Sequence, residues 1–345
     1  MSANEIKKAI RKQLSGDFEK DKQFLSDKSE EYVKENNEEG ISAVIDLLAE
    51  IMPEEYQKSI MRIMYINGKR LDKVYADIVE IINSKQNLEK ALKLAEALYS
   101  KITEGFAETE TSKFVSLRNT FEDNLYQIVF KPQKTLNRSP FDFARMISSY
   151  GYILVEYREL DKAEEVLKKA IEYNPVDCGP KFELTEIYKL RKDKDKIIEL
   201  TKDTLKVASS PSAIARCYAN MGYMCVDLKE YDDASVFYYA SLIFYPHLGV
   251  NAELRNIVTI TGQKIATPDR NKIDKVFEKY GLEYGADKTV TEISALLAQQ
   301  CLMDNNIKDA LIYLKILYGI TNDPKIQDII LKYEPEKTET ESKSE

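Results

Sequence analysis

A chain of 345 residues exceeds what a single compact core usually holds, so several domains or an elongated array is expected. With 43% apolar and 31% charged residues but only 12 Gly and 10 Pro, the composition suits a helix-rich soluble protein rather than a disordered or all-β chain. Fifty Lys and Arg against 58 Asp and Glu leave a formal charge of −8, which argues against attraction to nucleic acid or anionic membrane through general electrostatics.

The first segment, 1–70, is helical in pattern. Its start, "MSANEIKKAIRKQLSGDFEKDK", lacks the apolar core of a secretory signal, and it carries no basic recognition helix. Nowhere does the chain run through the ~18 uncharged apolar residues of a spanning helix, so no membrane partner and a cytoplasmic location are expected. "NGKR" (67–70) lacks the upstream glycine of a phosphate loop, as does "TGQK" (261–264).

In the next segment, 71–130, the run "ETSKFVSLRNTFEDNLYQIVF" within 106–130 reads as one long helix, followed by a connector with Pro132. The basic stretches "KPQKTLNR" (131–138) and "KLRKDKDK" (189–196) read as solvated turns.

A short phrase recurs along the chain: "LEKA" (88–91), "LDKA" (160–163), "YDDA" (231–234) and "IKDA" (307–310), each a bulky apolar residue, two charges and alanine. A weaker version, "IDKV", occupies 273–276, and Val276 stands 34 residues before Ala310. Gly151, Ala163 and Pro175 are spaced by twelve, as are Gly222, Ala234 and Pro246. Around these anchors the bulky residues fall at helical spacing: Ile147, Tyr150, Leu154 and Leu167 in one copy, Tyr218, Met221, Cys225 and Tyr238 in the other. Both segments read as helix, turn, helix. Side-chain caps before proline at 139–140, 210–211, 267–268 and 323–324 predict helix starts, and "DPKIQDIILKYEP" reads as a terminal helix. The acidic segment 335–345 is expected to be disordered.

Little in the sequence carries chemistry. The single histidine, His247, follows Pro246 in a turn with no second histidine to share a metal, so no metal or cofactor is expected. Cys178, Cys217, Cys225 and Cys301 are dispersed, with no CxxC pair, and read as reduced thiols. Asp232 and Asp233 suit a helix start, where the dipole favours negative charge. The aromatic run "VFYYASLIFY" (236–245) reads as core, and "NRS" (137–139) matches a glycosylation acceptor only as a string.

With these phrases and offsets the chain resembles the tetratricopeptide repeat family, whose unit of about 34 residues alternates large and small residues over two helices. Residues 144–177 and 215–248 match well; 291–324 matches through Ala298, Cys301, Ala310 and Leu314, with Pro324 two positions late. The stretch 178–211 keeps Leu184, Tyr188 and Ile197 but has Thr185 at a small position, and 72–105 carries Tyr75, Ile78, Ile82, Ala91 and Leu98. In 249–282, Arg255 and Asn256 depart from the pattern and "ATPDRN" lengthens the linker.

The resemblance implies an all-α fold, a right-handed α–α superhelix or tetratricopeptide-like solenoid of degenerate repeats with a C-terminal capping helix. Its parts would be an N-terminal helical region (1–70, a degenerate repeat or cap), degenerate repeat-like helices (71–130), the main array (140–334) and the tail (335–345). Gly151, Ala163, Gly222 and Ala234 would be small because helices nearly touch there.

The resemblance further implies a non-enzymatic scaffold or adaptor that holds an extended or helical peptide of another protein on the concave face of its first helices. The family's inner positions fall on Arg145, Ser148 and Tyr152, on Phe182, Glu186 and Lys189, and on Arg216, Ala219 and Tyr223. Tyr152, Phe182 and Tyr223 would supply apolar contact, and Arg145 and Arg216 charge-assisted hydrogen bonds. Arg216 and Asn220 suit a clamp for a C-terminal carboxylate, but Ser148, Tyr152 and Glu186 do not complete it. Two alternatives remain: a sensor whose curvature responds to a peptide or small ligand, and an enzyme with an unrecognised helical site.

Overall fold

The computed structural model describes residues 2–35, 37–84 and 87–334; the expected disordered tail, 335–345, lies outside them. The described residues are mostly helical, as the composition implies, with short strands besides. No helix among them is long and apolar enough to cross a membrane. The chain divides into two compact units, Met1–Val74 and Tyr75–Glu345.

The first unit contains α1 (Ala3–Arg11), α2 (Phe18–Lys34), α3 (Glu38–Ile51) and α4 (Glu54–Met64). The Asp17 and Asn37 side chains accept backbone N–H bonds and so start α2 and α3. Both α1 and α2 pack on α3, enclosing Ile6, Ile10, Leu25, Ala43, Val44 and Leu47. The segment "NGKR" is the corner of a small hairpin, in which β1 (Tyr65–Ile66) pairs with β2 (Lys69–Arg70). Asn67 and Gly68 both take left-handed φ, 50° and 77°, as a tight two-residue hairpin turn requires. Two-residue strands carry no periodicity, so the purely helical pattern of 1–70 gave no sign of them. Helix α5 (Leu71–Ser84) begins in this unit and ends in the next.

The second unit continues with α6 (Leu88–Gly105), β3 (Ser112–Val115), α7 (Thr120–Phe130), β4 (Thr135–Arg138), α8 (Phe143–Glu156), α9 (Leu160–Tyr173), α10 (Cys178–Arg191) and α11 (Lys194–Leu205). It ends with α12 (Pro211–Asp227), α13 (Tyr231–Phe244), α14 (Leu248–Thr261), α15 (Arg270–Lys279), α16 (Lys288–Met303), α17 (Ile307–Thr321) and α18 (Pro324–Tyr333). Helices α8 and α9, α12 and α13, and α16 and α17 pack pairwise; α10 touches α8, α9 and α11, and α12 follows on α11.

The recurring phrase marks the first residue of a helix each time, at Leu88, Leu160, Tyr231 and Ile307. Its alanines, Ala91, Ala163, Ala234 and Ala310, are all fully buried. The glycines twelve residues earlier sit under large side chains. A Cβ at Gly151 would lie 2.5 Å from Leu167, and one at Gly222 would lie 2.6 Å from the Tyr238 ring. Real Cβ atoms do not approach so closely, so these sites are small because the facing helix fills the space.

Four pairs of helices also share one turn. Arg158, Lys192, Lys229 and Asn305, each two residues before the second helix, adopt left-handed φ of 57–62°. The N–H of the next residue then donates five residues back: Glu159 to the Leu154 carbonyl, Asp193 to Tyr188, Glu230 to Cys225 and Asn306 to Cys301. This Schellman closure satisfies the orphan carbonyls of the first helix. Glycine is the usual residue there, and its absence hid the turn from the sequence.

The long helix expected over 106–130 is shorter than its pattern suggested. It is replaced by β3, an irregular link and α7, whose start is set by the Asn119 side chain accepting the Glu122 N–H. The Ser116 N–H donates to the Tyr173 carbonyl, tying the link to α9. Nor is "KPQKTLNR" only a solvated turn, since its second half forms β4. That strand pairs in parallel with β3 from Ser112↔Thr135 to Val115↔Arg138, and Lys134 and Arg138 ion-pair with Glu108 and Asp123. The expected caps stand at Ser210–Pro211 and Asp323–Pro324. At the other two sites Asp142 and Asp269, a few residues on, start α8 and α15.

Candidate functional site

On α10, Phe182, Glu186 and Lys189 share one helical face, as do Arg216, Ala219 and Tyr223 on α12 and Arg145, Ser148 and Tyr152 on α8. The fold joins the first two sets. The Arg216 guanidinium lies 4.6 Å over the Phe182 ring, and its Nη2 stands 3.6 Å from Glu186 and 3.7 Å from Glu183. Lys189 donates to Glu186 at 2.9 Å, and its ammonium sits 5.1 Å from the Tyr223 ring centre. Five of the nine expected residues therefore form one interlocked patch.

Phe182 is only 7% exposed, so its ring is the floor on which Arg216 rests, and it offers little apolar surface of its own. Burial pushes the Glu183 carboxyl up, partly offset by Arg216, and burial pushes the Lys189 ammonium down, partly offset by Glu186. Each charge is thus held mainly by its neighbour. Glu183 was not among the expected residues. Its only sequence signal was its place beside Phe182 on the face turned to α12.

Tyr152 is exposed on α8, which packs on α10, and burial, then the Glu156 and Glu183 carboxylates, push its phenol up. Tyr223 is exposed on α12. Arg145 is exposed, while Ser148 and Ala219 are half-buried; among the described residues, no side-chain hydrogen bond or ion pair joins these three to the patch. Asn220 is buried, out of reach of a carboxylate clamp.

The other groups weighed for chemistry have structural places. His247 is exposed at the start of α14 and makes no capping bond. Asp233 pairs with Lys279 at 2.6 Å and, with Glu230, accepts from the Tyr280 hydroxyl. All four cysteines are free, and burial pushes the thiols of Cys178 and Cys225 up to about 12, away from the reactive thiolate. Among the described residues, no group of His, Cys, Asp and Glu is arranged to hold a metal ion. A cavity of about 530 Å³ opens at the starts of α7, α10 and α12, but its arginine, Arg118, is already tied to Glu122 and Asp177.

No model of a known protein family matches this sequence, and no curated protein matches it.

Proposed function

We propose that the helix pairs of the second unit are tetratricopeptide-like repeats of an α–α superhelix, and that the protein is a non-enzymatic cytoplasmic scaffold or adaptor. On this reading an extended or helical segment of another protein lies across the first helices α8, α10 and α12. Support for the repeats comes from the shared turn, repeated with the same left-handed residue and the same five-back hydrogen bond, and from the tight contacts at Gly151 and Gly222.

The observation that carries the binding reading is the patch itself. Arg216, Glu186 and Lys189 are held in place by one another, the exposed Tyr223 ring lies against Lys189, and Tyr152 is exposed on the neighbouring α8. Rigid aromatic and arginine anchors lose little entropy on binding, which is why such residues dominate interface energetics. The test is a pull-down from lysate followed by mass spectrometry, comparing the native chain with the double variant Arg216→Ala/Tyr223→Ala. The variant is expected to lose the captured protein; unchanged capture by a folded variant would sink the reading.

A second reading, a ligand-responsive regulator, draws on one contact. The Tyr218 hydroxyl of α12 accepts the Gly285 N–H at 2.9 Å and donates to the Gly285 carbonyl at 3.2 Å. A change in the 281–287 loop would therefore be felt by the helix that carries Arg216 and Tyr223.

A further inference from the structure

The 281–287 loop forms one wall of a cavity of about 670 Å³ whose other walls are the ends of α13 and α17 and the start of α16. That volume lies within the range of small-molecule and short-peptide sites. Ile243, Phe244, Tyr284, Tyr318 and Ile320 give it an apolar lining, and Arg270 is the one charged side chain that faces it. No carboxylate belongs to the cavity lining; the arginine's ion-pair partner, Asp274, stands outside it.

Arg270 is held as a clamp. Its guanidinium lies 4.6 Å over the Tyr284 ring, and its Nε donates to both Asp274 oxygens at 2.9 Å. The Nη1 and Nη2 groups, the two prongs that suit a carboxylate, donate no hydrogen bond among the described residues, and the side chain is 64% exposed. Tyr284 is itself fixed between Phe244 and Phe277, with ring centres 5.8 and 5.5 Å away, and the Tyr218 bonds to Gly285 hold the next residue. Ile243, which lines the same cavity, is 63% exposed at the end of an otherwise well-buried helix. A guanidinium oriented by Tyr284 and Asp274, in a cavity that also carries an uncovered apolar side chain, fits a ligand with a carboxylate at one end and an apolar body at the other.

We propose that this cavity binds a free carboxylate carried on an apolar body, the carboxylate on the Arg270 fork and the body against Ile243 and Tyr318. Such a group is offered by a small carboxylic acid or by the C-terminal residue of a peptide. The proposal does not depend on the α10–α12 patch, and its failure would leave that reading untouched.

The test is calorimetric titration of the full chain with 4-phenylbutyrate and with a hexapeptide ending in leucine, each against its amide. Both acids, or one of them, are expected to bind, with the corresponding amide weaker by about tenfold or more, the worth of a bidentate charge-assisted pair. Arg270→Gln should lose a similar factor while keeping its thermal midpoint, and Arg270→Lys should fall between. Binding of the peptide alone identifies a chain terminus as the ligand, and binding of 4-phenylbutyrate alone identifies a free acid. Equal affinity for acid and amide, indifference to Arg270→Gln, or no binding of either acid up to roughly 10 mM would overturn the assignment.

Discussion

The pair α12/α13 and the pair that follows it, α14/α15, begin from similar helical patterns and end differently. In the first, Gly222 admits the Tyr238 ring and Ala234 is fully buried, so the two helices lie against each other along their length. In the second, Asn256, at the place of Gly222, and Arg255, at that of Met221, stand exposed. Helix α14 ends at Gly262 in the left-handed region, without the five-back hydrogen bond of the other turns. Helix α15 packs instead on α13, where Phe277 meets Phe237 at 4.8 Å between ring centres and Tyr280 meets it at 5.4 Å. A missing small residue thus leaves the second helix free to take the best apolar surface within reach, and here that surface belongs to the preceding pair.

The largest expected effect lies at the tight contact. Gly222→Val should cost about 1–3 kcal/mol in urea unfolding, because the added atoms must displace the Tyr238 ring, and Tyr238→Leu in the same chain should return part of it. Asn256→Ala on exposed α14 should stay within about 0.5 kcal/mol. Equal costs at the two sites would remove the contrast between the pairs.

A second effect concerns the junction of the regular pairs and appears only in acid. Partial burial alone would raise the Glu164 carboxyl, but hydrogen bonds from Lys168, Arg191 and Tyr188 outweigh it and hold the group down at about 2. A carboxyl whose folded value is below its ordinary value stabilises fully above about pH 4.5, and that stabilisation is lost as pH falls toward 2. The thermal midpoint of Glu164→Gln should therefore be lower than that of the native chain at pH 7 and should fall less steeply between pH 4.5 and 2. Parallel profiles would show that α9 and α10 do not depend on this cluster.

The smallest effect is a gain. Lys229 holds a left-handed φ of 62° in the shared turn, a conformation that costs a side-chain-bearing residue about 1 kcal/mol. Lys229→Gly should raise stability by up to about that amount, less the added freedom of glycine in the unfolded chain. A loss would mean that the lysine side chain contributes more than its backbone costs.

Much of the helical arrangement was legible in the chain, and for definite reasons. The phrase ending in Ala91, Ala163, Ala234 and Ala310 located four helix starts, because a charged first turn and a small buried residue are local requirements. Gly151 and Gly222 were legible through their fixed distance from those alanines. The candidate patch was legible in part: helical spacing placed Phe182, Glu186 and Lys189 on one face and Arg216 and Tyr223 on another. It could not tell that Arg216 would cover Phe182, or that Glu183 would join the pair, since that depends on how two helices far apart in the chain lie against each other. The β3–β4 ribbon was missed because each strand is four residues long and its partner lies beyond a helix.

Sequence alone determined the helical character, the recurring phrase and the small residues at Gly151 and Gly222, since each is fixed by period, by capping chemistry or by volume at a single position. Only the tertiary structure decided that α15 leaves α14 for α13, that the Arg216 charge is balanced from α10, and that the Arg270 fork faces a cavity without a carboxylate. Those outcomes rest on contacts between residues far apart in the chain, where competing surfaces differ by packing and charge and no local period records which one wins.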